Sequence, residues 1–163
     1  MKIIFIIISL ALTTLTSCAT AYQPMGITGG YADNQVSENE FIIQFDGNGY
    51  TDKMRAVQFA LMRCADVCLA NGFTYFTVIE DRIETNVSYY QHPGSATTFG
   101  SFRKGRYYSS TSYMPPSVTE IRAPSVKALI RCYVNPPDGE ILGKTSFDAR
   151  HIQALGKKKF GLE

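Results

Sequence analysis

The chain has 163 residues, of which 45% are hydrophobic and 18% charged, and a formal net charge of +2. A charge so close to zero gives no global attraction to nucleic acid. No apolar run reaches the roughly 20 residues that a membrane-crossing helix needs. The length suits one domain with a substantial core and is short for two.

The first element is an N-terminal leader. Met1-Lys2 supplies one positive charge, and Ile3 to Leu12 form an apolar core interrupted by Ser9. That length fits the h-region of a secretory signal, with Thr13 to Ser17 leading to a cleavage site. Leu15-Thr16-Ser17-Cys18 resembles a lipobox, where bacterial lipoproteins are acylated on cysteine and cut just before it. The expectation is a signal peptide over residues 1–17 and a lipid on Cys18 that anchors an otherwise water-soluble body. By the same resemblance, Ala19 stands where an Asp would favour the inner membrane, which points to the outer membrane.

Residues 18–39 read as a lipidated tether rich in Gly, Thr and Tyr, with few apolar pairs. Phe41, Ile43 and Phe45 then alternate with Ile42, Gln44 and Asp46, which predicts a short strand. Gly47-Asn48-Gly49 makes a turn. A dinucleotide-binding glycine pattern would need a third glycine where Asp52 stands. Thr51 is a candidate cap for a helix over Asp52 to Asn71, with Met54, Val57, Leu61, Cys64, Ala65 and Cys68 on its apolar face. Asn71-Gly72 ends this helix. Tyr75, Thr77, Ile79, Asp81 and Ile83 continue as strand, giving a βαβ unit with an expected right-handed crossover.

The stretch of about 90–117 is crowded with Ser, Thr, Gly, Tyr and Pro and reads as a long mobile loop, or the frayed tip of a β-ribbon. Val118 to Val134 returns to strand, with Val126, Ala128, Ile130, Cys132 and Val134 sharing a face. Pro136-Pro137-Asp138-Gly139 makes a turn, and Glu140 to Leu142 is a candidate edge strand. A short C-terminal helix capped by Thr145 or Ser146 would carry Phe147, His151 and Leu155 inward. Residues 157–163, with Lys157-Lys158-Lys159, form a solvated tail. The fold class expected is α+β, over residues 40–156: a small antiparallel or mixed sheet of three to four strands with one long helix on a face.

Cys64, Cys68 and Cys132 remain once Cys18 is lipidated. Helical i, i+4 positions are too far apart for a good bridge, so Cys68–Cys132 or Cys64–Cys132 is the more natural disulfide. Buried reduced fillers are the plainer alternative. Cys-x-x-x-Cys within a helix is no zinc knuckle, so no metal is expected, and no cofactor. Neither His92 nor His151 is placed by the sequence as an oriented base, so no catalytic residue is assigned. Arg103, Lys104, Arg106, Tyr107 and Tyr108 form the one local basic–aromatic cluster, the candidate partner contact.

Tyr22-Gln23-Pro24-Met25-Gly26, Gly29-Gly30-Tyr31, Gly47-Asn48-Gly49-Tyr50-Thr51 and Asn71-Gly72-Phe73-x-Tyr75-Phe76 together resemble a family of small proteobacterial outer-membrane-type lipoproteins of uncharacterised function. The resemblance implies lipidation and residence in the cell envelope. It carries over no catalytic residue, and the cysteines at 64 and 68 depart from the pattern. The functional expectation is a non-enzymatic, membrane-anchored lipoprotein that binds or scaffolds an envelope protein or an anionic glycolipid, and no nucleic acid. The alternatives are a cysteine-dependent or hydrolytic periplasmic enzyme, or an envelope redox or stress sensor.

Overall fold

The computed structural model describes residues 18–137 and 146–162. The leader, the Glu140–Leu142 strand and the Thr145 cap lie outside the described residues. The chain divides into a core unit, the residues before Val87 and after Arg122, and a ribbon, Val87–Arg122. In chain order the elements are β1 (Gly30–Gln35), β2 (Glu40–Asp46), α1 (Lys53–Ala70), β3 (Tyr75–His92), β4 (Ser95–Arg103) and β5 (Arg106–Met114). They are followed by β6 (Ser117–Tyr133), β7 (Ser146–Asp148) and α2 (Ala149–Phe160).

The fold is α+β, but the main sheet has five strands in the order β1-β2-β6-β3-β7, and β4 and β5 make a separate two-stranded sheet. The expected three to four strands were too few because two strands hid in segments of low hydrophobicity. One is β1, inside the supposed tether. The other is β7, three residues long. β6 also lies between β2 and β3, so the strands flanking α1 are not neighbours.

Period-2 alternation builds the core. Phe41, Ile43 and Phe45 of β2 are buried, and they pair across the antiparallel ladder with Ile130, Ala128 and Val126 of β6. One inner face is thus continuous over two strands, and burying each large side chain contributes roughly 1.5–3 kcal/mol. α1 covers that face with Ala56, Phe59, Ala60, Cys64, Ala65 and Cys68. Met54, expected inside, is exposed, because the buried stripe runs through Ala56 and Phe59 instead. Val134 lies beyond the end of β6 and is exposed.

Asp52, not Thr51, caps α1: its carboxylate accepts from the Met54 and Arg55 amides at 2.8 and 3.2 Å. At the other end Asn71 caps, Gly72 takes a positive φ of 81°, and the Phe73 amide donates to the Cys68 carbonyl at 3.0 Å. Likewise Asp148 caps α2, accepting from the His151 amide at 3.1 Å, and Ser146 sits in β7. α2 starts beside β3, where the Ala149 amide donates to the Thr74 carbonyl. It ends with Phe160 against Phe59, ring centroids 4.4 Å apart, so it runs antiparallel to α1. Its inward side is therefore Ile152, Gly156 and Phe160. His151 and Leu155 are exposed, and Lys157–Lys159 form the exposed last turn of the helix rather than a tail.

Within the ribbon, β4 and β5 pair from Ser95↔Met114 to Arg103↔Arg106, so this segment is regular strand, not an irregular loop. Every ribbon residue is exposed.

Candidate functional site

Three places hold the residues singled out from the sequence: the Cys18 end of the core unit, the tip of the ribbon and the buried thiols. Cys18 is exposed, yet the chain after it is stitched into the fold. Its carbonyl accepts from Asn48 Nδ2 at 2.8 Å. Two residues on, Thr20 is 1% exposed; its amide donates to Thr51 Oγ1 at 2.9 Å and its hydroxyl to the Thr28 carbonyl at 2.7 Å. Asn48 Oδ1 in turn accepts from the Tyr50 amide and the Thr51 hydroxyl, each at 3.0 Å. The Gly-Asn-Gly-Tyr-Thr turn is thus a clasp for the segment that follows Cys18. A flexible tether over residues 18–39 is not what forms.

The rest of that segment is fixed by aromatic packing. Tyr22 lies against Tyr31 and Phe59, at 4.8 and 5.5 Å between ring centroids, and its hydroxyl donates to Asp66 of α1. Burial, then the hydrogen bond to Asp66, pushes the Tyr22 phenol well above its ordinary range. Asp66 also accepts from Gln153 of α2 at 2.7 Å, so one carboxylate ties the N-terminal segment and both helices together. Arg63 spans the same region: its guanidinium pairs with Asp33 at 2.6 Å and lies 4.1 Å from the Tyr31 ring centroid. Gly30, at φ +140°, lets the backbone cross close to the Gln23 and Pro24 carbonyls, where a Cβ would come within 2.5 Å. The Tyr-Gln-Pro and Gly-Gly-Tyr motifs therefore have a shared structural reason. Neither Thr20 nor Asp66 was singled out from the sequence; Asn48 was, as part of the turn, though not as a partner of Cys18.

The ribbon tip carries the basic–aromatic cluster on a two-residue turn. Lys104 and Gly105 both have positive φ, 49° and 74°, as a type I′ hairpin turn requires. Ladder pairing puts Arg103 directly opposite Arg106, and Ser101 opposite Tyr108 on the same face. Phe102 and Tyr107 pair on the other face, with ring centroids 5.2 Å apart, and Tyr107 also lies over Gly100. The five candidate contact residues are thus split. Arg103, Arg106 and Tyr108 share one face, Lys104 is at the turn, and Tyr107 packs within the ribbon. Like charges set directly opposite destabilise a hairpin. Among the described residues no acidic side chain pairs with Arg103, Lys104 or Arg106, which suits the tip to an anionic ligand surface.

Cys64, Cys68 and Cys132 meet in one core cluster as free thiols. Cys68 Sγ donates to the Tyr75 carbonyl at 3.4 Å. Burial pushes the Cys64 thiol up to about 12. The hydrogen bond with Cys68, then burial, pushes Cys132 above the usual thiol range. Thiolate is the reactive form, so at neutral pH Cys64 and Cys132 pack as protonated fillers. His151 is exposed on α2, whereas the thiols are buried. His92 lies in the ribbon, 3.0 Å from the Thr119 hydroxyl. Among the described residues no group of three or more His, Cys, Asp or Glu is placed to hold a metal ion.

An open apolar groove of about 620 Å³ lies between α1 and α2, lined by Leu61, Met62, Ile152 and Phe160 together with Lys158 and Lys159. Among the described residues no helix is long and apolar enough to cross a membrane. No family model, curated protein or solved structure matches the chain.

Proposed function

We propose that the chain is a lipid-anchored protein of the bacterial cell envelope, held at the outer membrane through Cys18, that binds or scaffolds an envelope partner without catalysis of its own. The single observation that carries this reading is the state of Cys18. It is exposed at the surface, immediately before a segment whose residues are fastened to the fold, as an attachment point for a water-soluble body should be. The ribbon tip supplies the contact. Its cations are unpaired and its aromatics exposed, a combination that suits an acidic protein patch or the phosphates of an anionic glycolipid.

The test is fractionation of host cells producing the native chain or Cys18→Ser. The native protein is expected in the outer-membrane fraction with an acylated Cys18 by mass spectrometry, and the variant in the soluble fraction. A bare thiol on the native protein would end the reading. In parallel, replacing Arg103, Lys104 and Arg106 with serine is expected to abolish crosslinks to the partner while leaving the protein membrane-bound. Undiminished crosslinks would remove the ribbon tip from the proposal.

A further inference from the structure

Because Thr20 is buried, only Ala19 separates the acylated residue from the packed interior. The end of the core unit that bears Cys18 therefore has no slack by which to stand off from a bilayer. Which side chains share that end follows from the hydrogen bonds and helix directions. Asn48 and Thr51, which hold Cys18 and Thr20, immediately precede the first turn of α1. α2 is antiparallel to α1, and its last turn arrives at the same place: Phe160 lies on Phe59, and the Arg55 guanidinium is 5.5 Å from the Phe160 ring centroid.

That end is basic. Lys53 and Arg55 open α1, while Lys157, Lys158 and Lys159 close α2. Among the described residues Asp52 accepts from the α1 amides and Asp46 from Ser125 and Gln44, two carboxylates against those five cations. The net charge of the whole chain is only +2, so this is a local concentration of cations. Ile27, Tyr50 and Met54, on the segments that meet Thr20 or open α1, are all exposed. Ile27 sits on the turn that the Thr20–Thr28 hydrogen bond fastens to this end.

We infer that this end is a membrane-docking face: its lysines engage the phosphates of anionic phospholipids, and Ile27, Tyr50 and Met54 enter the interfacial layer beside the lipid on Cys18. The inference rests on the lipidation proposed above and adds a fixed orientation to it. The lipid on Cys18 holds the body at the membrane but does not orient it, whereas a basic patch attracted to anionic headgroups does. Here the two coincide at one end, so the domain lies against the bilayer instead of swinging from it.

The test uses the native chain, purified with whatever it carries on Cys18 and reconstituted into phosphatidylethanolamine–phosphatidylglycerol vesicles containing a lipid with a photoreactive headgroup. Adducts are mapped by mass spectrometry, which also reads position 18. Adducts are expected on Ile27, Tyr50, Met54 and the lysines of α2, and not on Glu38 or Asn71 at the opposite end of the core unit. Lys53→Glu combined with Lys158→Glu and Lys159→Glu should cut labelling of Ile27 and Tyr50 at least about fivefold, with unchanged thermal unfolding, as should high salt, which screens exposed charge. Acylated Cys18 with adducts centred on Glu38 or Asn71 would overturn the docking face and leave lipidation standing. Labelling at this end that ignores both charge reversal and salt would overturn the role of the lysines. A bare Cys18 would overturn the lipidation on which the orientation depends.

Discussion

At the scale of single residues, the buried acids set how the molecule responds to pH. Cys64 has an ordinary thiol value of 9.0 and a folded value of about 12, so an unfolded chain loses that proton first as the solution becomes alkaline. The contribution is fully present below about pH 9 and is lost as pH rises through the folded value. Tyr22 is shifted in the same direction, by burial first and then by its hydrogen bond to Asp66. Thermal unfolding followed by circular dichroism should therefore show a melting temperature that falls between about pH 9 and pH 11, more steeply than surface titration alone gives. Cys64→Ala should flatten part of that fall. An identical slope in the variant would mean that the thiol does not titrate differently on folding.

At the scale of elements, the ribbon is a hairpin without an interior. Its order rests on ladder hydrogen bonds, on cross-strand pairs such as Phe102–Tyr107 and Thr98–Thr111, and on the turn at Lys104-Gly105. Gly105→Val places a β-branched residue at φ +74°, at a cost of roughly 1–3 kcal/mol, and no core packing offsets it. Amide hydrogen exchange in β4 and β5 should then accelerate at least about tenfold while amides of β2 and the buried half of β6 keep their protection. Equal loss in both places would show that the ribbon and the core unfold together. The same absence of an interior explains why this element was hard to read from sequence. β2 and the end of β6 announced themselves because one face is buried and the other wet, as in Phe41, Ile43 and Phe45. With both faces exposed, β4 and β5 have no reason to alternate, and their Ser, Thr and Gly content imitates a loop. α1 was legible in extent and in most of its buried face, Cys64, Ala65 and Cys68 with Val57 and Leu61 at the edge, but not in its first turns. Its small residues Ala56 and Ala60 face the sheet with Phe59, a packing choice that hydropathy alone does not reveal.

At the scale of the whole molecule, long-range pairing decides the architecture. Glu40 and Arg131 are 91 positions apart in sequence yet adjacent in the sheet, joined by an ion pair of 2.6 Å. Such pairings are invisible to local periodicity, which is why the α+β class could be read and the five-strand order could not. The supposed tether failed for a related reason. Its few apolar pairs concealed Thr20, Tyr22 and Tyr31, whose partners lie on the turn before α1 and on α1 itself.

The position of β6 between β2 and β3 has one more consequence. Brief trypsin treatment should nick the chain first at the exposed Arg103-Lys104 turn, since every residue of β4 and β5 is exposed. The piece beginning after the nick contributes the central strand of the five, so neither piece can keep that sheet alone. Both should co-elute in gel filtration and separate only in denaturant; early separation would contradict the strand order. A protein severed at this hairpin and still whole would be a natural pair of complementing fragments, and its ends could be rejoined elsewhere to make a circular permutant.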